Sequence, residues 1–250
     1  MARIAAHTAP MPPTALAVVG DGSAGMIEIT VADWAAWAPG LHSREDWLAW
    51  AAQPRMPDED GAPPLAEVPA MQRRRIERLG RMAVQAAYWC AQATDERIPL
   101  VFASRHGDVQ RSFELLDQLT RGEPMSPTHF GLSVHNAIAA LYSIVRGERG
   151  NYIALAAGRS TAEAGMVEGA GPPGGGAADV VVVVYYAKPP QVYADFLDEP
   201  DPYYAWCWRV RADGEGVPLA LATRPEPAER APTALPQGLD VLCFFLAGDT

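Results

Sequence analysis

The sequence predicts an α/β protein, a layered α/β/α structure built on a mixed β-sheet. Strand-length, β-branched segments alternate with helical segments through the middle of the chain. The run Val180–Tyr186 is uninterrupted in apolar residues, as in a strand covered on both faces. Weaker strand patterns then follow without an intervening helix, which predicts an antiparallel addition near the C-terminus. They lie at 204–211, 217–222 and 240–246.

The first part of the chain is predicted to hold an extension, a strand and a short helix. Residues 1–25 mix Ala, Pro, Thr and Gly without periodicity, so we expect a disordered extension before a single domain at 26–250. Residues 27–31 alternate between apolar and polar side chains, as in a half-buried strand. Ser43 and Asp46 have the spacing of a capping box, which begins a short helix.

A long helix is predicted over about 69–93, because apolar residues recur there at steps of three and four along one face. A run of arginines accompanies this segment: Arg73, Arg74, Arg75, Arg78 and Arg81. One interpretation of the run is a solvated helix face. The other is a docking patch for an acidic or phosphate-bearing partner.

Strand and helix signals alternate through the middle of the chain. Pro99–Ala103 predicts a buried strand, and Asp108 caps the next helix. The predicted apolar stripe of that helix consists of Val109, Phe113, Leu116 and Leu119. Ser126 followed by Pro127 is a typical helix start, and another helix is expected over 133–146.

The strand predicted at Tyr152–Ala156 turns at once into a further helix. Ser160 and Glu163 form a second capping-box pattern, so this helix is expected from Thr161 to about Gly169. A Gly-rich connection at 171–176 and a Pro-rich loop at 224–236 follow.

The balance of charge excludes nucleic acid as a general partner. Lys and Arg number 20 against 30 Asp and Glu, a net charge of −10, whereas the phosphate backbone must be met by an excess of basic residues. No stretch approaches the ~18 consecutive apolar residues of a membrane span. Three scattered cysteines suit neither a disulfide framework nor structural zinc, which favours a reducing cytoplasm. They are Cys90, Cys207 and Cys243.

The turn after Tyr152–Ala156 is the strongest candidate for chemistry, because a helix N-terminus stabilises an anion there. The segment Gly158–Ala162 differs from G-x-S-x-G, the nucleophile elbow of α/β-hydrolases, at one position, where Ala162 replaces the second glycine. In those enzymes the catalytic histidine follows the serine, whereas all five histidines here precede Ser160. A serine hydrolase or thioesterase is therefore an alternative hypothesis, and an N-cap role for Ser160 is favoured.

The histidines of the middle segment do not predict a metal centre. His106, His129 and His135 lack the spacing that would put two of them on one helical face with a third ligand. We predict neither a metal nor a cofactor. His135 and Asn136 are instead expected to hold a helix start by hydrogen bonds, since buried polar groups must be paired.

A series of motifs runs in consistent order through about Met26 to Pro190. They are Arg73–Arg75 with Arg81, Ser104–Asp108, Met125–Phe130, Ser133–Ala137, Ser143–Ile144, the strand that follows and the turn Ala156–Gly158. In this order they resemble the N-terminal half of β-ketoacyl synthases, the thiolase-fold condensing enzymes of fatty acid and polyketide synthesis. The Ser-Val-His-Asn-Ala version at Ser133–Ala137 is similar to small β-ketoacyl synthase-like proteins of the chain-length-factor type. Gene clusters for aryl polyene and xanthomonadin-like pigments encode such proteins.

Two departures from that family bear on activity. Active condensing enzymes have a cysteine at this elbow whose thiolate takes the acyl chain, and the resemblance places Ala157 at that position. They also use two histidines from the second half of the fold, whereas no histidine follows His135 in this sequence. The resemblance therefore implies a catalytically inactive subunit.

The resemblance implies a chain-length factor that forms a heterodimer with an active β-ketoacyl synthase and shapes the pocket of the growing chain. In the family the strand before the elbow pairs across the dimer, so the interface is expected at this strand and at the helices 133–146 and 160–169. The strand residues are Asn151, Tyr152, Ile153, Ala154, Leu155 and Ala156. The resemblance also implies that the arginine run is a docking patch for acyl carrier protein. A stand-alone module that binds acyl chains or carrier protein is the third hypothesis.

Overall fold

The computed structural model describes residues 14–19, 26–57, 60–91, 97–171, 179–224 and 234–248, with backbone alone for 14–19, 223 and 224. The strands in this part of the chain form one seven-stranded sheet. They are β1 (Thr14–Val19), β2 (Met26–Trp37), β3 (Leu100–Ala103), β4 (Tyr152–Leu155), β5 (Val180–Tyr186), β6 (Tyr204–Arg211) and β7 (Val217–Arg224).

The sheet is mixed, as predicted, and its order is β1-β7-β2-β6-β5-β3-β4. β3 pairs parallel with both β4 and β5. β5, β6, β2 and β7 then pair antiparallel in turn, and β1 runs parallel to β7 at the far end. The alternating segments of the sequence thus supply the parallel strands, and the C-terminal strands β6 and β7 supply the antiparallel addition.

Helices cover both faces of the sheet. They are α1 (Arg44–Ala52), α2 (Ala70–Arg73), α3 (Arg78–Cys90), α4 (Val109–Thr120), α5 (Pro127–Ser133), α6 (Ala137–Arg146), α7 (Thr161–Ala170) and α8 (Gln237–Ala247), with 3₁₀ segments at Gly158–Ser160 and Gln191–Phe196. α1, α7 and α8 lie on one face, while α3 and α6 lie on the other. Within the described residues no helix is both long and apolar enough to cross a membrane.

β5 is the centre of both hydrophobic layers. All of its residues are buried, and successive side chains point to opposite faces of the sheet. Those towards α7 and α8 are Val180, Val182, Val184 and Tyr186, and those towards α3 are Val181, Val183 and Tyr185. The prediction of a strand covered on both faces is therefore confirmed.

Several helix ends follow the predicted signals. Ser43 and Asp46 form the expected capping box before α1. The Ser126 side chain accepts a hydrogen bond at the start of α5, with Pro127 in the first turn. The helix predicted over 133–146 is shorter, because α5 ends at Ser133 and α6 begins only at Ala137.

The predicted disordered extension is wrong in part. Residues 14–19 form β1, whose backbone pairs with a β7 edge that would otherwise lack a strand partner. The rest of 1–25 lies outside the described residues, as do most of the connections predicted at 171–176 and 224–236.

The long helix predicted over 69–93 is interrupted between α2 and α3. Ile76 lies in this interruption and is buried in the core. The side chain of Arg81 donates a hydrogen bond to the carbonyl of Ile76 at 2.9 Å, so the break is held from the first turn of α3. Periodicity alone does not reveal a short break of this kind.

The strand predicted at 240–246 is wrong, since these residues belong to α8. The helix buries Leu239, Leu242 and Phe245. Their spacing of three is helical, yet a short apolar run does not separate helix from strand by its pattern alone.

The apolar stripe predicted for α4 does not face the core. Asp108 caps the helix as expected, but Leu116 and Leu119 are 54% and 58% exposed. Arg111 and Leu115 are the buried residues of this helix. Exposed apolar surface of this kind is typical of a site that another molecule covers.

The contact between α7 and β5 gives a first prediction. A Cβ built on Gly169 would lie 2.6 Å from Cγ2 of the buried Val182, so Gly169→Ala is expected to lower the free energy of unfolding by about 1–3 kcal/mol. A Cβ on Gly131 in α5 would meet nothing within 4 Å, and Gly131→Ala is expected to be neutral or to stabilise by up to about 1 kcal/mol. Urea denaturation of both variants checks this, and equal effects would contradict the packing described.

Candidate functional site

The candidate site is the turn that joins β4 to α7. Ala156, Ala157 and Gly158 are exposed. Gly158 has a φ of 58°, in the left-handed region that favours glycine. Ala157 offers a methyl group at this exposed turn. A methyl group cannot accept an acyl chain, so the turn has no nucleophile at that position.

Thr161, and not Ser160, closes the turn. The Thr161 hydroxyl accepts a hydrogen bond from the amide of Ala157 at 3.0 Å and donates one to the carbonyl of Gly158 at 2.6 Å. Ser160 lies in a 3₁₀ turn and makes no side-chain capping bond. The capping box predicted for Ser160 and Glu163 is therefore wrong, although α7 begins at Thr161 as expected.

Glu163 is turned into the protein instead and is 2% exposed. Its Oε1 accepts a hydrogen bond from Nε2 of Gln237 in α8 at 2.6 Å, while no described residue bonds its Oε2. Burial raises the pKa of Glu163 from 4.5 to about 7, and the charges of Glu199 and Asp240 add to this. Burial and Glu199 likewise raise the pKa of Asp240 to about 6.

A cluster of buried charges ties the turn to α8, and Glu199 is its centre. The Glu199 carboxylate is 2.9 Å from Nη1 of Arg105 and 3.6 Å from Nε of Arg159. It also accepts a hydrogen bond from the backbone amide of Gln237, the first residue of α8, at 3.1 Å. Arg105 pairs with Asp198 as well, at 2.7 Å. The negative charge therefore has two cationic partners and a helix N-terminus, which suits its burial.

The sequence does not reveal this ion cluster. Arg105 lies within one of the motifs above, but its partner Glu199 is 94 positions further along the chain. Helical and strand periodicities act over a few residues and do not link such distant groups. The available signal is the acidic pair Asp198–Glu199 in the connection between β5 and β6, which also contains Asp195 and Asp201.

The cavity beneath the turn is almost filled. Arg105, Arg159, Tyr186, Tyr204 and Gly238 are among its lining residues, and its volume is about 10 Å³. This is room for a single water molecule. An acyl chain does not fit here, so this interior supports the turn and does not hold a substrate.

His135 makes the kind of hydrogen bond expected for it. Its Nε2 lies 3.0 Å from the carbonyl oxygen of Leu155 at the end of β4. The ring also packs on Gly107, where a Cβ would come within 2.7 Å of Nδ1. Asn136 precedes α6 and is exposed, without the side-chain capping bond that we expected. His135 alone therefore connects the start of α6 to the candidate turn.

Within the described residues, no three His, Cys, Asp or Glu side chains are grouped as a metal site. The ring of His106 lies 5.8 Å from that of Tyr186, and burial together with Arg105 lowers the His106 pKa. The amide of His129 donates to the Ser126 hydroxyl, which belongs to the α5 cap. Among the described residues, no two cysteines form a disulfide.

β4 is the end strand of the sheet, and no described strand pairs with its outer edge. Tyr152 and Ile153 are 37% and 41% exposed. Asn151 and Ala156 are exposed, while Ala154 and Leu155 are half-buried. An open edge with apolar side chains is a template for pairing with another chain.

Exposed apolar side chains also lie on the elements that lead to this edge, because α4 contacts α5, α5 contacts α6 and α6 contacts β4. Among the described residues, eight of the large exposed apolar side chains come from α4, α5, α6, β4 and the connections between them. They are Leu116, Leu119, Met125, Phe130, Val134, Ile144, Tyr152 and Ile153, which we call the β4 face. The helix predicted at 160–169 does not contribute to it. α7 packs on β3, β5 and α8, and most of its residues are buried.

The arginine run is partly used within the protein. Arg73 donates to the carbonyl of Leu65, and Arg81 donates to that of Ile76. Arg78 pairs with Asp60 and lies over the ring of Tyr203. The exposed members of the run are Arg74 and Arg75.

Comparison with known proteins identifies similar chains. The family model for the β-ketoacyl synthase N-terminal domain matches residues 47–250. A chain in the structure of the ketosynthase ApeO in complex with its chain length factor ApeC, from Xenorhabdus doucetiae, is similar with a TM-score of 0.76 and 27% identity. The match covers 89% of this chain and 93% of that chain. No curated protein matches in sequence.

More distant structures share the fold. The ishigamide ketosynthase/chain length factor is similar with a TM-score of 0.59 and 17% identity, over 74% of this chain and 62% of that chain. A β-ketoacyl synthase from Burkholderia phymatum has a TM-score of 0.54 and 12% identity, over 75% and 59% of the two chains. These matches confirm the expected thiolase-like fold.

The buried carboxyl of Glu163 gives a prediction about pH. Folding raises the pKa of Glu163 from 4.5 to about 7, so the folded protein favours the protonated carboxyl. The contribution of this proton to the free energy of unfolding is complete below about pH 4.5 and is lost as the pH rises to about 7. The loss amounts to about 3 kcal/mol for a shift of this size. Glu163→Gln keeps an oxygen for Gln237 and removes the charge, so this variant is expected to be more stable than wild type at pH 8 and similar at pH 4.5.

Urea denaturation between pH 4.5 and 8.5 measures this difference. Glu168→Gln is the matched control, because Glu168 is exposed on the same helix. Glu168→Gln should follow the wild-type pH profile. A Glu163→Gln profile that also runs parallel to wild type would show that Glu163 is not buried as described.

Proposed function

Because this chain belongs to the β-ketoacyl synthase family, as the family match over 47–250 shows, we propose that it is a chain-length-factor-type subunit. It forms a heterodimer with an active condensing enzyme and supplies no nucleophile at its own elbow. The single observation that carries the proposal is the open β4 edge within the β4 face.

The β4 edge explains why a partner strand belongs here. The end strand leaves backbone N–H and C=O groups without a ladder partner, and Tyr152 and Ile153 add exposed apolar surface beside them. α6 packs on β4, α5 on α6 and α4 on α5, so their exposed apolar side chains extend this surface. A partner that adds a strand to β4 satisfies the backbone groups and buries the apolar side chains in one step.

The elbow bears on which of the two subunits holds the acyl chain covalently. Ala157 has the exposed position at the end of β4 but has no group that takes an acyl chain. The space beneath it holds about one water molecule, roughly 10 Å³. The growing chain therefore has its covalent site in the partner, and this subunit acts on it from the β4 face, as one wall of the pocket.

The resemblance at Ser133–Ala137 supports a more specific role in polyketide-type synthesis of an aryl polyene pigment. Acyl carrier protein is the expected third component, and the exposed Arg74 and Arg75 are the remaining candidates of the arginine run for docking it. The three cysteines, none of which is in a disulfide, agree with a cytoplasmic location.

The β4 edge can be tested by one charged substitution. Ile153→Lys places a cation on the open edge, which blocks strand addition, and is expected to abolish co-purification with the cognate condensing enzyme. Val217→Lys is the matched control, because Ile153 and Val217 are β-branched strand residues with 41% and 40% exposure. β7, which carries Val217, is paired on both sides.

Co-expression with an affinity tag on the condensing enzyme measures this outcome. Both variants are expected to keep the free energy of unfolding within about 1 kcal/mol of wild type, since both sites are exposed. Retention of the complex by Ile153→Lys, or its loss in both variants, would contradict an interface at β4.

A further inference from the structure

The 3₁₀ segment Gln191–Phe196, between β5 and β6, presents apolar side chains to solvent. Phe196 is 78% exposed and Val192 is 61% exposed. Tyr193, between them in sequence, is half-buried. Its ring centroid lies 6.4 Å from that of Phe196. A short segment with two such exposed side chains has an uncompensated apolar surface.

The segment is fixed in place by the ion cluster around Glu199. Asp198 and Glu199 follow Phe196 by two and three positions, and Arg105 pairs with both of them at 2.7 and 2.9 Å. The Arg105 side chain is 16% exposed, and that of Glu199 is 5% exposed. The exposed side chains therefore extend from an ordered part of the backbone. Because the segment is already ordered, it loses little conformational freedom when a partner binds.

The segment is also continuous with the β4 face. The ring of Tyr193 lies 6.2 Å from that of Phe113 in an edge-to-face arrangement. Phe113 belongs to α4, the helix whose Leu116 and Leu119 are exposed. The segment thus contacts α4, whose Leu116 and Leu119 belong to the β4 face.

We propose that the segment Gln191–Phe196 is a second contact for the same condensing-enzyme partner, with Phe196 as its anchor. This inference rests on the proposed heterodimer and extends its interface to a connection outside the strand and helices of the β4 face. An exposed aromatic residue on an ordered base is typical of a binding hot spot.

The charges around the segment define the partner surface further. Asp195 is exposed, and the Asp198 side chain is 51% exposed despite its pairing with Arg105. The partner is therefore expected to offer an apolar pocket for Phe196 with basic groups at its rim, since opposite charges around a contact favour association. Affinity should fall with added salt, and Asp195→Asn should reduce this dependence.

The test measures the dissociation constant of the complex between the purified cognate condensing enzyme and this chain. The chain is used as wild type and as two variants, Phe196→Ser and Met71→Ser. Phe196→Ser is expected to weaken binding by roughly tenfold or more, because the variant lacks the aromatic side chain that the wild-type chain buries against the partner. Met71→Ser is the matched control, because Met71 is also 78% exposed but lies on α2. It should leave the dissociation constant unchanged. Urea denaturation checks that both variants keep the wild-type free energy of unfolding.

The outcomes separate this inference from the proposed function. If Ile153→Lys abolishes binding while Phe196→Ser binds like wild type, the second contact is wrong and the heterodimer stands. If the wild-type chain does not bind the condensing enzyme at all, both are wrong. If Phe196→Ser changes only the self-association of this chain in sedimentation experiments, the occupant is a second copy and the assignment to the condensing enzyme is wrong.

Discussion

An end strand that leaves its outer backbone groups without a strand partner is the constraint from which the rest of this structure follows. β3 and β5 are paired on both sides, and β5 is buried on both faces. β4 pairs with β3, no described strand pairs with its other edge, and Tyr152 and Ile153 are partly in solvent. Backbone donors and acceptors are stabilised when they are paired, so this edge favours strand addition. The exposed stripes of α4, α5 and α6 lie around it and enlarge the area that a partner would cover.

The elbow beside this edge is an exposed turn that presents the methyl group of Ala157. Thr161 closes the turn by two hydrogen bonds, and Gly158 provides the left-handed conformation. Behind the turn, Glu199 joins Arg105, Arg159 and the first amide of α8. These contacts place charged pairs directly behind the turn. They connect the turn to α8 and to the segment that precedes β6.

The sequence predicts the sheet well because its strands have strong local signals. Val180–Tyr186 is apolar throughout, and the segments at 100–103 and 152–155 are short, apolar and followed by clear helix starts. It predicts less where tertiary contacts override local preference. The predicted helix is interrupted at Ile76, whose side chain is buried in the core. Glu163 accepts a hydrogen bond from Gln237 in α8 instead of capping α7. The sequence reveals the apolar stripe of α4 but not what the stripe faces, because periodicity does not distinguish a helix face that packs on the core from one that a partner covers.

The same limit applies to the site. Ala157 is identified through the family motif, and the β4 residues through their place before the elbow. The ion cluster is not identifiable in this way, because Arg105 and Glu199 meet only in the folded protein. Phe196 lies in a connection with no periodic signal, and only its exposure of 78% in the fold distinguishes it.

The central claim is that this chain acts by pairing with an active condensing enzyme. The most direct measurement is mass spectrometry of the acyl products that this enzyme forms with and without an equimolar amount of the chain. We expect full-length polyene only when wild-type chain is present, and truncated or no product with Ile153→Lys. If the enzyme alone makes the same full-length product, and the two proteins elute separately, the account is contradicted.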